Sequence, residues 1–205
     1  MKILRGLYRG LEALYGLDSG IDPVHHLISF SSAEGCGRER LVVAQDGEDV
    51  AVGLALDEAL LAWLESCSPA GALAEDALGD ALPVVEGLSH LLYVAEAARR
   101  ERPISGLELE TQAEVDKLAV CVLHHWPRAT DAYARLVDRL FYRFTLARDL
   151  DPEMRWRYTT ANRLALGFVR RLEGDVTAGR WSRLRARLRH FWGADMGAKR
   201  ALAGL

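Results

Sequence analysis

The chain has 205 residues, half of them hydrophobic and 27% charged, with a formal net charge of −3 and a pI near 6.1. That composition belongs to a globular protein with room for a sizeable core, and it excludes a disordered chain or a generally basic nucleic-acid binder. Three cysteines, Cys36, Cys67 and Cys121, are odd in number and far apart, which fits a reducing cytoplasm better than a disulfide framework or a zinc site.

The first residues, Met1 to Arg9, interrupt their apolar positions with Lys2, Arg5 and Arg9, which argues against a signal peptide. No segment approaches the roughly 18 apolar residues of a membrane span. Residues 2–15 carry Ile3, Leu4, Leu7, Leu11 and Leu14 at helical spacing, with Gly16 as a stop. Gly6 and Gly10 each cost that helix about 1 kcal/mol relative to alanine, unless their small size permits close packing. A turn-rich stretch, Asp18 to Pro23, leads into Val24–Phe30, whose alternation predicts a strand. Arg40–Gln45 and Val50–Leu56 flank Asp46-Gly47, a hairpin signature in which glycine accepts the positive φ of the turn. On the second of these strands Val50, Val52, Leu54 and Leu56 share the face expected to be buried, opposite Ala51, Gly53 and Ala55. A lone hairpin is marginal in water, so Val24–Phe30 is expected as a third strand, with a helix covering the sheet.

Asp57 can cap a helix over Glu58–Ser66, and the small residues of 68–79 suit a linker. Next come two long helices. The first starts near Asp80 with Pro83 in its first turn and ends before Pro103; the second opens on the capping box Ser105-Gly-Leu-Glu108 and runs to about Trp126. Only Pro103 and Ile104 separate them, which predicts an antiparallel hairpin. A helix over Arg128–Arg148 follows, then one from Asp151-Pro152 to about Glu173, then Trp181–Trp192. Past Trp192 the glycines Gly193, Gly197 and Gly204 predict a frayed end. The fold class is therefore α+β and predominantly helical, a small N-terminal antiparallel sheet of two to three strands packed against about five or six helices. Residues 1–67 form a small subdomain and 80–205 a helical bundle, joined by 68–79, or the whole is one continuous domain.

Two groups of residues invite a functional question. On the 80–126 hairpin, Glu86 and His90 sit one turn apart on the first helix, while Glu110, Glu114 and Lys117 share a face of the second. Folding about Pro103 sets His90 opposite Asp116 and Lys117. Acid–base chemistry by His90 and Glu114 needs a desolvated pocket. A metal centre is disfavoured, because the Glu-x-x-His pattern of di-iron bundles is missing and Lys117 opposes a cation. An interhelical network of salt bridges and hydrogen bonds is the simpler reading, so no metal, no cofactor and no catalytic residue is assigned. Cys121 beside His124 and His125 lies in the apolar run Leu118–Leu123, which makes it core and not a nucleophile.

The second group lies on the last helix. Trp181, Leu184, Leu188 and Trp192 make an apolar stripe, and Arg180, Arg183, Arg185, Arg187 and Arg189 cover the remaining faces. Guanidinium forks suit phosphates or carboxylates. The residues up to 127 carry 9 Lys and Arg against 21 Asp and Glu, a net of −12, whereas 128–205 carry 17 against 8, a net of +9. The basic helix therefore serves an anionic partner or this chain's own acidic half. This polarity, with no complete catalytic set beside it, favours a non-enzymatic cytoplasmic interaction or adaptor module, binding a protein partner or a second copy as a homodimer. The alternative is a small-molecule or metal-dependent enzyme with its site on the hairpin. A third reading is nucleic-acid-backbone binding through the arginine-rich helix.

Overall fold

Aspartate and serine caps start four of the α-helices, and one β-hairpin supplies the only long strands among the described residues. The structure is a computed structural model, and it describes residues 1–31, 37–47, 49–68, 71–74, 76–126, 129–146 and 150–205. In chain order the elements are α1 (Lys2–Tyr15), a single 3-10 turn (Pro23–His26), β1 (Leu27–Phe30), β2 (Glu39–Asp46), β3 (Asp49–Asp57), α2 (Glu58–Ser66), α3 (Leu78–Arg99) and α4 (Gly106–His125). They continue with α5 (Ala129–Val137), a π-helical turn (Asp138–Tyr142), α6 (Pro152–Arg170), α7 (Glu173–Thr177), α8 (Trp181–Gly193) and α9 (Met196–Ala203). The protein is α+β and predominantly helical, as the hydrophobic periodicity predicts. It divides into two compact units, Met1–Ala13 with Leu17–Ile104, and Leu14–Gly16 with Ser105–Leu205. The two long central helices fall in different units, α3 in the first and α4 in the second. Ala72 and Leu73, within the small-residue stretch expected as a linker, are buried.

In the first unit the sheet order is β1-β3-β2, with β2 antiparallel and β1 parallel to β3. The expected third strand is there, but it makes the sheet mixed, because side-chain alternation carries no information on strand direction. The first half of that segment is not strand: Asp22 accepts from the Val24 amide at 3.1 Å and nucleates the 3-10 turn. Leu54 and Leu56 of β3 are fully buried, while Val50 at the hairpin end is 39% exposed. The expected buried face is thus buried only where α3 covers it. Gly87 of α3 makes that approach possible, since a Cβ there would lie 2.5 Å from Leu54 Cδ1 and 2.7 Å from Glu39 Cγ. Asp57 caps α2 by accepting from the Ala59 amide at 2.8 Å.

The second unit is helical. Ser105 Oγ accepts from the Glu108 amide at 3.1 Å, so the capping box starts α4 as its sequence requires. Asp151 accepts from the Met154 amide at 2.8 Å and starts α6 with Pro152 in its first turn. The expected continuous helix to Arg148 is shorter: α5 gives way to the π turn, which ends at Tyr142. The expected frayed C-terminus is an ordered helix. Asp195 caps α9 by accepting from the Ala198 amide at 2.8 Å, and Gly204, at φ 83°, ends it in the left-handed conformation. Gly167 of α6 lets α9 close in, because a Cβ there would stand 2.5 Å from the Ala203 carbonyl oxygen.

Candidate functional site

Several ionisable residues of the two long helices have partners within their own unit. In the first unit His90 is buried on α3, one turn after the half-buried Glu86, and its Nδ1 lies 3.2 Å from Glu39 Oε1. Glu39 enters from β2 on the side that faces α3, paired across the sheet with Leu56. It is 51 positions from His90, and no helical periodicity could have nominated it. Glu96, further along α3, accepts from Arg99 at 2.8 and 2.6 Å and meets Arg100 at 2.6 Å. The hydrogen bond from Arg99 and the charges of both arginines hold its carboxyl below the usual range, against the opposing effect of burial.

In the second unit Lys117 Nζ donates to Glu114 Oε1 at 2.9 Å, the simplest ion pair that the helical spacing predicts. Arg157 Nε approaches Glu110 at 3.9 Å. Asp116 is fully buried and accepts from the Tyr15 hydroxyl and, at 2.8 Å, from Gln112 Nε2. Gln112 Oε1 in turn accepts from Lys199 Nζ at 2.6 Å, and the same ammonium donates to the Phe191 carbonyl at 2.7 Å. Lys199 is itself fully buried, 4.3 Å from the centre of the Phe191 ring. Tyr15, Gln112 and Lys199 escaped the sequence reading. The first two look like ordinary helix positions, and the third lies in the segment expected to fray. A buried ammonium is tolerated here because donors, acceptors and a ring face surround it.

Cys121 is fully buried, and burial pushes its thiol up to about 12 in spite of the nearby charges of Arg139 and Lys117. That is the wrong direction for a nucleophile. His124 and His125 meet edge to face at 5.2 Å, and burial together with the charge of His125 lowers the His124 pKa.

The arginines of α8 are largely turned onto their own unit. Arg180, Arg183 and Arg187 converge on the buried Asp175 at 2.9, 3.4 and 3.0 Å. Burial pushes the Asp175 carboxyl up, but the hydrogen bonds from Arg187 and Arg180 with the charges of Arg183 and Arg180 outweigh it and hold the group below its ordinary value. Arg189 donates to the Leu14 carbonyl at 2.7 Å, and Arg185 lies 6.0 Å from the centre of the Trp181 ring. Trp192 stacks on Tyr15 at 4.1 Å, and Trp181 meets Trp126 at 5.6 Å.

The least covered chemistry of the first unit is at the sheet. With β3 in the centre, β2 pairs on one side only among the described residues. Its Val42 and Val43 point to opposite faces and are 46% and 51% exposed, while Ile28 of β1 is 44% exposed. On the face away from α3, the small side chains opposite Val42 and Ala44, Gly53 and Ala51, leave a cavity of about 300 Å³. His25, His26 and Ile28 complete its lining, and His26 Nδ1 donates to the Val52 carbonyl at 2.8 Å. Strand β2 thus offers a backbone edge with apolar side chains above and below it.

No helix among the described residues is long and apolar enough to cross a membrane. Compared with protein-family models, curated proteins and solved structures, the chain matches none of them.

Proposed function

We propose that this chain is a non-enzymatic interaction module of the cytoplasm, and that it docks an extended polypeptide segment along the outer edge of β2. The observation that carries this reading is the pair Val42 and Val43, on opposite faces of one edge strand and each about half exposed. Natural sheets usually blunt such an edge with charge, proline or a covering element. An added strand would satisfy the outward backbone groups of β2, and the cavity beside Ala51 and Gly53 would accept side chains of the incoming segment.

Two further features support a binding role over a catalytic one. The carboxylate of Asp116, the amide of Gln112 and the ammonium of Lys199 are buried and linked in one run of hydrogen bonds, where no solute reaches them. Arg180, just before α8, and two of the four α8 arginines close on Asp175, which leaves the basic helix less free for a nucleic-acid backbone. The test is panning of a displayed random-peptide library against the intact chain. The expected outcome is a set of peptides with alternating apolar residues whose binding drops at least about tenfold on Val43→Lys, a substitution at an exposed edge position. Peptides indifferent to that substitution, or no peptides at all, would sink the proposal.

A further inference from the structure

We infer that the segment seated on the β2 edge is β2 of a second copy, paired antiparallel about a twofold axis through Val43 to give a continuous six-stranded sheet. This rests on the docking role proposed for that edge.

Residues of an edge strand point their N–H and C=O alternately outward and inward. Two identical antiparallel edges can therefore bond only in registers that set residues of the same parity opposite each other. About Val43 this condition holds for every pair, with Val42 facing Ala44, Leu41 facing Gln45 and Arg40 facing Asp46. Arg40, Val42, Ala44 and Asp46 share the face away from α3, as their partners on β3 establish. Each Arg40 guanidinium then meets the Asp46 carboxylate of the other copy on one face, twice by symmetry, at the two ends of the paired segment. Arg40 already lies against the Phe30 ring, 5.3 Å from its centre, which holds the cation on that face. A neighbouring register, centred on Val42, sets Arg40 opposite Ala44; one centred on Ala44 sets Asp46 opposite Val42. The Val43 register alone of these three makes the exposed charges of β2 complementary while burying Val42 and Val43 on both faces. It is also closed, since the pairing consumes both β2 edges and offers none to a third copy.

Cysteine cross-linking reads the register directly. In a background with Cys36 and Cys67 replaced by serine, Val43→Cys sets two sulfurs on the axis, with Cα atoms about 4.5 to 5.5 Å apart. Copper–phenanthroline in air is expected to convert it to covalent dimer at several times the yield of Val42→Cys, whose Cα atoms stand beyond the roughly 7 Å that a disulfide spans. Light scattering over a concentration series supplies the second measurement. The expected results are a dimer for the unaltered chain, about tenfold weaker dimerisation for Asp46→Arg, and recovery in Arg40→Asp/Asp46→Arg. Circular dichroism verifies that each variant is folded. Equal cross-linking at 42 and 43, a double reversal no better than the single one, or a strict monomer at several hundred micromolar would each overturn the self-pairing. A strict monomer whose panned peptides still depend on Val43 would overturn the second copy as occupant and leave the docking role standing. A monomer with no such peptides would remove both.

Discussion

Asp175 and Lys199 are each buried charged groups in the second unit, and each is held by a different device. Asp175 relies on three arginines that remain partly in water, with side-chain exposures of 31% to 66%. Removing its charge leaves those arginines solvated, so Asp175→Asn is expected to cost about 2 kcal/mol, the value of charge-assisted hydrogen bonds and not of an abandoned buried charge. Lys199 has no such exit. Its truncation to alanine leaves Gln112 Oε1 without its donor in the core and takes from the Phe191 carbonyl the closer of its two donors, and the expected loss is larger, about 3 to 5 kcal/mol. Urea unfolding of both variants checks the order; a smaller loss at Lys199 than at Asp175 would show that the buried network is dispensable. At Cys121, burial rules reactivity. With Cys36 replaced by serine, one thiol, that of the partly exposed Cys67, is expected to react with Ellman's reagent in the folded protein, and Cys121 only after denaturation.

Glycine shows how much of the element scale the sequence reveals and where it stops. Gly6 and Gly10 in α1 are exposed, and a Cβ at either would meet nothing within 4 Å. Their helix penalty is therefore not offset by close packing, and Gly6→Ala or Gly10→Ala should stabilise the protein by up to about 1 kcal/mol each. Gly87 and Gly167 look the same in sequence but stand where elements touch. Gly87→Ala drives a methyl into Leu54, and Gly167→Ala drives one into the Ala203 carbonyl; both should destabilise, by about 1 to 3 kcal/mol. Thermal melts of the four single variants give the signs. The legible features were local: the caps at Asp57, Ser105 and Asp151, the Asp-Gly hairpin, and the Glu114–Lys117 pair all join residues within a few positions. The illegible ones were long-range. Glu39 meets His90 across 51 positions, Lys199 meets Gln112 across 87 and Tyr15 meets Asp116 across 101. A single sequence carries no signal for such pairs. Helix α9 was missed for a different reason, since its glycines read as breakers while Asp195 and Gly204 act as its two caps.

Over the whole molecule, the acid response follows from where the charges sit. The first unit carries 8 Lys and Arg against 17 Asp and Glu, a net of −9, and the second carries 18 against 12, a net of +6. Protonating carboxylates brings the first unit through neutrality but only adds to the excess positive charge of the second, so self-repulsion on acidification falls on the second unit. Asp175 adds to this in the same direction. Its pKa is lower folded than unfolded, so its stabilising contribution is complete above the ordinary aspartate value near 4 and is lost as pH falls through the depressed folded value. Glu96, depressed by Arg99 and its neighbours, applies the same rule to the first unit, although Arg99 and Arg100 lie at its exposed end. Four of the five tryptophans, Trp126, Trp156, Trp181 and Trp192, belong to the second unit, so tryptophan fluorescence reports mainly on that unit. The urea midpoint read by fluorescence is expected to hold between about pH 7 and 5 and to fall steeply below about 4. In Asp175→Asn the midpoint starts lower at pH 7 and falls less, so that the two curves converge at the acid end of the range. Parallel curves over that range would mean that Asp175 binds its proton equally in both states, and that its three arginines contribute nothing to holding α8 in place.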